Sequence, residues 1–109
     1  MLIDFSTLEE TCLTNFKGGE KSLSAKMFAD EQNRIMRGML EPGASIGMHT
    51  HDTSSEIIYV LCGSGKVLYD DTSEILASGD CHYCPKGHSH SLINDGAAPL
   101  EFFAVVPNQ

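Results

Sequence analysis

The sequence predicts an all-β domain, built as a sandwich or barrel of short strands. From residue 23 onward, apolar runs of four to eight residues alternate with turn signals about every 8–12 residues. The ten Gly and four Pro residues fall mostly between these runs, where they mark turns. A chain of 109 residues has room for one compact domain, so we expect a single domain over 1–109.

The first element is the N-terminal segment, residues 1–20, which we expect to be an extension or a first strand. Ser6 or Thr7 is expected to cap a short helical turn here, because acidic residues follow at Glu9 and Glu10. Gly-Gly at positions 18 and 19 then indicates a loop or hairpin turn.

The next two strands, residues 23–29 and 34–40, are predicted to form a hairpin. The polar stretch 30–33 between them suits a hairpin connection. Glu41-Pro42-Gly43 follows as a turn, since Pro fixes φ and Gly adopts conformations that other residues avoid. Residues 56–62 are the most apolar run and are rich in β-branched side chains, which predicts a buried strand.

Short strands separated by turns complete the prediction. They are residues 66–69, 73–77, 81–84, 88–94 and 100–106. The turns between them lie at Asp70-Asp71-Thr72, Ser78-Gly79-Asp80, Pro85-Lys86-Gly87 and Asp95-Gly96.

The composition argues against several classes of partner. Seven Lys and Arg residues against fifteen Asp and Glu residues give a formal net charge of -8. Nucleic-acid binding needs a basic surface to release counterions, so we expect no nucleic-acid partner. An acidic protein is repelled by anionic membranes, and no apolar run approaches the roughly 20 residues of a membrane helix. Because no secretory signal is visible, we expect a cytoplasmic protein whose four cysteines are reduced.

His49, His51, Glu56 and His90 form a candidate metal site. Residues two apart in a strand project from the same face, so His49 and His51 can reach one point. Glu56 opens the next strand, and His90 can approach from a later one. Three imidazoles and a carboxylate suit Mn, Fe, Co, Ni, Cu or Zn, and a six-coordinate ion would keep two positions for water or substrate. A packing or surface role for the His pair is the alternative, although a buried carboxylate needs a partner.

Two motifs resemble those of the cupin family. Residues 43–63, GASIGMHTHDTSSEIIYVLCG, have the G-x5-H-x-H-x4-E-x6-G spacing of the first cupin motif. Residues 79–94, GDCHYCPKGHSHSLIN, have the G-x5-P-x-G-x2-H-x3-N spacing of the second. Fifteen residues separate the motifs, as in small single-domain bacterial cupins.

The resemblance implies a cupin double-stranded β-helix, which is a jelly-roll barrel. It implies that His49, His51, Glu56 and His90 hold one divalent transition metal per chain. It also implies a homodimer, because small cupins pair by sheet extension.

Neighbouring polar residues have open roles. His88 has the strand parity of His90 and is expected at the cavity mouth or in solvent, with general base as the candidate catalytic role. His82 is expected at the surface or an interface. Either Arg34 or Arg37 can hold a substrate carboxylate, with solvated surface as the alternative.

Strand parity also assigns the cysteines and an outer face. Cys81 and Cys84 are expected on opposite faces of a strand, which disfavours a shared metal or a disulfide. Cys62 shares the parity of Glu56 and is expected to be an inward-facing core thiol. The opposite parity carries an apolar set that suggests a second sheet or a dimer contact. Its members are Ile57, Tyr59 and Leu61.

The fold alone does not fix the reaction, because one barrel with one metal supports many chemistries. The leading hypothesis is a metal-dependent enzyme acting on a small organic molecule, of dioxygenase, decarboxylase, isomerase or lyase type. The alternative is a non-catalytic module that senses or stores a small ligand.

Overall fold

The chain folds into two antiparallel β-sheets, and a computed structural model describes all 109 residues. The strands are β1 (Thr11–Thr14), β2 (Ser22–Ala29), β3 (Asn33–Leu40), β4 (His49–Thr50), β5 (Glu56–Cys62), β6 (Ser64–Tyr69), β7 (Thr72–Ala77), β8 (Cys81–Cys84), β9 (Ser89–Ile93) and β10 (Leu100–Pro107). The six-stranded sheet has the order β1-β2-β3-β10-β5-β8, and the four-stranded sheet has the order β4-β9-β6-β7. The helical elements are two 3₁₀ turns, Phe5–Thr7 and Phe16–Gly18. Neither of these helices could span a lipid bilayer.

The all-β prediction is confirmed, and each of the eight predicted strands is present with bounds shifted by two residues at most. Within residues 1–20, which were expected to be an extension or a first strand, the structure has β1, an edge strand that pairs only with β2 and has mostly exposed side chains. It also has the two-residue strand β4, which was not predicted. Both are too short or too exposed to produce a clear apolar pattern.

The prediction of Ser6 or Thr7 as helix cap is wrong. The 3₁₀ turn begins at Phe5 and its N-cap is Asp4, two residues before Ser6. The Asp4 carboxylate accepts hydrogen bonds from the backbone N–H and the hydroxyl of Ser6, at 3.0 and 2.6 Å. An ionised carboxylate is the stronger acceptor, which favours Asp4 over the hydroxyl residues as the cap.

The core lies between the two sheets and consists of alternate residues of the facing strands. In β10, Leu100, Phe102 and Ala104 are fully buried, and in β5 the inward positions include Ile58 and Val60. Phe102 packs over Gly38 of β3, and a Cβ atom at Gly38 would lie only 2.5 Å from Cζ of the ring. The absence of a side chain at position 38 therefore lets the largest core residue fill the barrel.

The prediction that Cys62 is an inward-facing core thiol is wrong, because Cys62 is exposed. The pairing of β5 with β10 shifts between Val60 and Cys62, which oppose Phe102 and Glu101 respectively. Such a bulge breaks the two-residue alternation, so strand parity no longer assigns faces beyond Val60. Before the bulge the alternation holds, and Tyr59 lies on the outer face with 43% of its surface exposed.

The CxxC segment behaves as its strand parity predicts. In β8, Cys81 is exposed whereas Cys84 is fully buried, so the two thiols lie on opposite faces of the sheet. Burial raises the pKa of Cys84 to about 11, with the charges of Glu56 and Asp70 acting in the same direction. Cys84 is therefore an unreactive core thiol.

Candidate metal centre

The four side chains named from the sequence converge between β4, β5 and β9. His49 and His90 are direct cross-strand partners in the β4–β9 pair. His51 follows β4, and Glu56 opens β5 in the opposite sheet. One donor atom from each residue lies within 4.8 Å of the others, so this cluster could hold a metal ion.

A close backbone contact sets the approach to β4. The Gly47 N–H donates to the Phe16 carbonyl at 3.0 Å, and a Cβ atom at Gly47 would overlap the Lys17 carbonyl. The Gly47 carbonyl in turn accepts a hydrogen bond from His49 Nδ1 at 2.7 Å. Because a carbonyl only accepts, His49 carries its proton on Nδ1 and presents the Nε2 lone pair to the cluster.

The spacing of the donor atoms is that of ligands around one ion. Nε2 of His90 lies 3.0 Å from Nε2 of His51, 3.1 Å from Nε2 of His49 and 2.9 Å from Oε1 of Glu56. Oε1 of Glu56 lies 3.2 Å from Nε2 of His51 and 3.8 Å from Nε2 of His49. Two donors bonded to one ion at about 2.1 Å and at right angles are about 3.0 Å apart.

The chemistry of this donor set also fits a cation. Three imidazole nitrogens and a carboxylate oxygen face one another. A proton on any one of these nitrogens can form a hydrogen bond with only one of the other three atoms, so protons alone cannot satisfy all the contacts. Lone pairs that converge in a buried pocket repel one another unless a proton or a metal ion lies between them. The residues present therefore match the implied metal in type, number and spacing.

Burial and charge favour the protonation states that bind metal. The side chains of His51, Glu56 and His90 are all less than one tenth exposed. Burial raises the pKa of the Glu56 carboxyl, but the three imidazoles that face it outweigh burial and hold the pKa well below its ordinary value. Burial lowers the pKa of the His90 imidazole, and Glu56 opposes this shift only in part. Glu56 is thus ionised and His90 neutral at neutral pH, as metal ligation requires.

A cavity of about 230 Å³ opens beside the cluster, and His49, His51 and Glu56 form part of its wall. The other charged residues of the wall are Lys17, Arg34 and Asp52. Apolar side chains from several elements complete it, namely Phe16, Met27, Met36, Ile46 and Val106.

The structure separates the two candidate arginines. Arg34 lines the cavity beside the cluster. Arg37 lies on the outer face of the six-stranded sheet, in a depression of about 360 Å³ that contains none of the four cluster residues. Its guanidinium is half exposed and 3.9 Å from the Glu101 carboxylate. Of the two arginines, only Arg34 is therefore placed to contact a ligand in the cavity.

His88 lies near the surface, in agreement with the sequence-based expectation. Its side chain is 44% exposed, Nδ1 is 2.6 Å from an oxygen of Asp70, and the ring stacks on Tyr69. His88 is not among the residues that line the cavity, which gives no support to its candidate role as general base.

The expectation for His82 is wrong, because this residue is 2% exposed and lies inside the barrel. Its Nδ1 lies 2.7 Å from Oε1 of Glu74, and its Nε2 lies 3.1 Å from Nδ1 of His90. The two-residue alternation of β8 could have indicated this burial, since His82 lies on the same face of the strand as the buried Cys84. Its partner Glu74 lies on β7, and no spacing motif connects the two.

Comparison with known sequences identifies the family. A family model described as Cupin domain matches residues 36–106. The chain is 32% identical to the oxalate-binding protein of Thermotoga maritima, over 97% of this chain and 93% of that protein. It is also 29% identical to the mannose-1-phosphate guanylyltransferase of Escherichia coli over 71% of this chain, but the match covers only 16% of that enzyme.

Solved structures agree on the fold. The crystal structure of a predicted oxalate decarboxylase from Thermotoga maritima superposes with a TM-score of 0.93 at 29% identity, covering both chains completely. The polyketide cyclase RemF from Streptomyces resistomycificus has a TM-score of 0.80 at 18% identity, over 98% of this chain and 78% of that one, which shows the fold alone. These matches confirm the predicted cupin barrel, and the chain belongs to the cupin family.

Proposed function

We propose that this chain is a metal-dependent cupin that binds a small carboxylic acid of the oxalate class. In this proposal His49, His51, Glu56 and His90 hold one divalent transition metal, and the adjoining cavity holds the acid. The observation that carries the proposal is the spacing of the four donor atoms, of which four pairs lie 2.9–3.2 Å apart. Donors that close, buried and converging on one point are typical of ligands to a single ion.

The charges of the cavity favour an anionic ligand. The whole chain has a formal net charge of -8, yet two of its seven basic residues, Lys17 and Arg34, line this one cavity. A guanidinium and an ammonium group attract carboxylates, and Arg binds a carboxylate through two parallel hydrogen bonds. A bound divalent cation would add to this positive potential.

The size of the cavity favours a small ligand. Its volume of about 230 Å³ is below the range of about 300–1,000 Å³ typical of pockets for drug-sized molecules. A relative that is 32% identical over nearly its full length is named an oxalate-binding protein. Oxalate combines small size with two carboxylates, so it is the first ligand to test.

We propose further that the chain acts on this acid as an enzyme, with decarboxylation as the reaction to test. A divalent transition metal at the cluster would supply Lewis-acid or redox chemistry to the oxygens of the acid. Lys17 and Arg34 would orient the acid, and the apolar wall would exclude water. Asp52 is the one carboxylate of the wall outside the cluster, which makes it the candidate to hold or move a proton.

A second candidate function is storage or sensing of the acid without turnover. Its support is the name of the same relative, which describes binding and no reaction. Asp52→Asn separates the two functions. An enzyme would lose most of its formate and carbon dioxide release in this variant and keep its affinity for oxalate, whereas a binding module releases neither product in any form.

The decisive experiment is calorimetric titration of oxalate into protein loaded in turn with Mn²⁺, Co²⁺ and Zn²⁺. We expect Arg34→Met to weaken oxalate binding about tenfold or more, because a charge-assisted hydrogen bond is lost. Arg37→Met is the matched control, since it removes the same side chain from the outer face of the same strand. Equal oxalate affinity in both variants, or no dependence of binding on metal, would refute the proposal.

The proposed assembly is a homodimer. Large apolar side chains stand exposed on the outer face of β5 and β8, where a second copy would cover them. They are Ile57, Tyr59, Leu61 and Tyr83, each between 38% and 54% exposed. Sedimentation analysis is expected to give twice the chain mass for the native chain and a monomer for Tyr59→Lys. A monomeric native chain would contradict the dimer and leave the metal proposal untouched.

A further inference from the structure

A buried chain of hydrogen-bonding groups, none of which lines the cavity, connects the candidate metal centre with the surface. Glu74 on β7 has a half-exposed side chain, and its Oε1 lies 2.7 Å from Nδ1 of His82 on β8. Nε2 of His82 lies 3.1 Å from Nδ1 of His90 on β9. Both histidine side chains are 1% exposed, so each ring nitrogen depends on these partners.

The carboxylate at the surface end fixes the direction of every hydrogen bond in the chain. An ionised carboxylate only accepts, so His82 must carry its proton on Nδ1 and donate it to Glu74. Neutral His82 then has a lone pair on Nε2, which accepts from Nδ1–H of His90. His90 is left with its lone pair on Nε2, the atom that faces Glu56 and the other two imidazoles.

The geometry of the two rings supports a hydrogen bond between them. The planes of His82 and His90 are inclined by only 28°, so an in-plane N–H of one ring can face the in-plane lone pair of the other. Tyr69 packs edge-on against His82, with ring centroids 5.5 Å apart, and limits rotation of the imidazole. The other two histidines of the cluster are each hydrogen-bonded through Nδ1 to one nearby group. His49 contacts the Gly47 carbonyl and His51 contacts the Ser54 hydroxyl.

We propose that Glu74 and His82 are positioning residues of the metal centre, which fix the tautomer and the ring orientation of His90. This inference rests on the proposed function, because it takes His90 as a metal ligand. Groups that hold a ligating histidine typically contribute 10- to 100-fold to metal affinity. A purely structural role would instead require His82 only to fill space between β8 and β9.

Metal affinity measured in four variants tests this assignment. Zn²⁺ is titrated in competition with a chromophoric chelator. We expect His82→Leu to weaken Zn²⁺ binding about 10- to 100-fold. We expect Glu74→Gln to weaken it about fivefold, because a neutral acceptor replaces a charged one. His82→Gln can still accept from His90, and we expect it to stay within about threefold of the native chain.

The matched control is Glu9→Gln, which makes the same chemical change at an exposed position in the N-terminal segment. It is expected to leave Zn²⁺ affinity unchanged. Equal Zn²⁺ affinity in the native chain, His82→Leu and Glu74→Gln would overturn the proposal. So would equal losses in His82→Leu and His82→Gln, because they would indicate a packing role.

Long-range ¹⁵N–¹H spectra of the histidine rings, recorded on the metal-free and the Zn²⁺-loaded native chain, give a readout that needs no variant to fold. We expect protons on Nδ1 of both His82 and His90. A proton on Nε2 of His90 in the metal-free chain would reverse the chain of hydrogen bonds and refute the assignment. If the native chain binds no Zn²⁺, the proposed function fails, whereas the same spectra still decide the hydrogen-bond direction.

Discussion

Replacing His90 with alanine removes the side chain at the centre of the donor cluster. Its Nε2 lies 2.9–3.1 Å from all three of the other donor atoms, and no other donor of the cluster has three neighbours this close. His90 is not part of the 14-residue apolar core, so we expect His90→Ala to fold into the same barrel. His88→Ala is the matched control, because it removes an imidazole two residues away that lies outside the cavity.

The metal-free variant is expected to be moderately destabilised. Truncation leaves His82 Nε2 without its partner in a buried site, which costs about 1–3 kcal/mol. Unfolding of 109 residues carries an entropy of about 0.23 kcal/mol/K, so this cost lowers the melting temperature by about 4–13 °C. A domain with about 5–15 kcal/mol of stability remains folded after such a loss.

The larger effect is expected when metal is added. A metal at 100 times its Kd stabilises the native chain by about 2.7 kcal/mol, which raises the melting temperature by about 12 °C. If loss of one ligand weakens binding 100-fold, the same metal concentration stabilises the variant by only about 0.4 kcal/mol, or about 2 °C.

Calorimetric melting with and without metal, after removal of metal by a chelator, measures both quantities. The native chain and His88→Ala are expected to show the full increase on metal addition, and His90→Ala only a small fraction of it. A full increase in His90→Ala, with unchanged metal content by elemental analysis, would remove His90 from the ligand set.

Three further predictions concern packing, pH and thiol reactivity. Gly38→Ala is expected to destabilise the barrel by about 1–3 kcal/mol because its Cβ would press on Phe102, and an unchanged melting temperature would contradict the packing described here. The folded-state pKa values of Glu56 and His90 are both lowered, so the unfolded chain binds more protons at acid pH. Metal-free protein is therefore expected to lose stability as the pH falls below 6.5, first through His90 and then, below 4.5, through Glu56, and melting temperatures that stay constant over this range would refute it. Native-state alkylation is expected to modify the three exposed cysteines within minutes and to spare buried Cys84, whose early labelling in a mass spectrum would contradict its placement.

Much of the fold is predictable because alternation and turn residues are local signals. The apolar run of residues 56–62, rich in β-branched side chains, predicts a buried strand, and the glycines and prolines mark most of the turns that follow it. The cluster is predictable for a similar reason, since its four members occupy fixed positions in two short motifs. His49 and His90 then become cross-strand neighbours only through the pairing of β4 with β9.

The features that could not be predicted from the sequence depend on how strands that are distant in the chain pack together. The bulge that exposes Cys62 arises from the pairing of β5 with β10, about 40 residues later in the sequence. The burial of His82 depends on Glu74, which lies on β7 in the other sheet and contacts its ring nitrogen. Whether Arg34 or Arg37 faces the cavity depends on the side of the sheet that β3 presents, and both are compatible with the local pattern.

The proposed metal centre requires that four donors from three segments of the chain hold one divalent cation. Crystals grown from Mn²⁺-, Co²⁺- or Zn²⁺-saturated protein, measured at the absorption edge of the metal, test it most directly. We expect a single anomalous peak within about 2.0–2.3 Å of His49 Nε2, His51 Nε2, His90 Nε2 and a Glu56 oxygen. Saturated crystals with no peak at this position, or a peak bound elsewhere, would contradict the account.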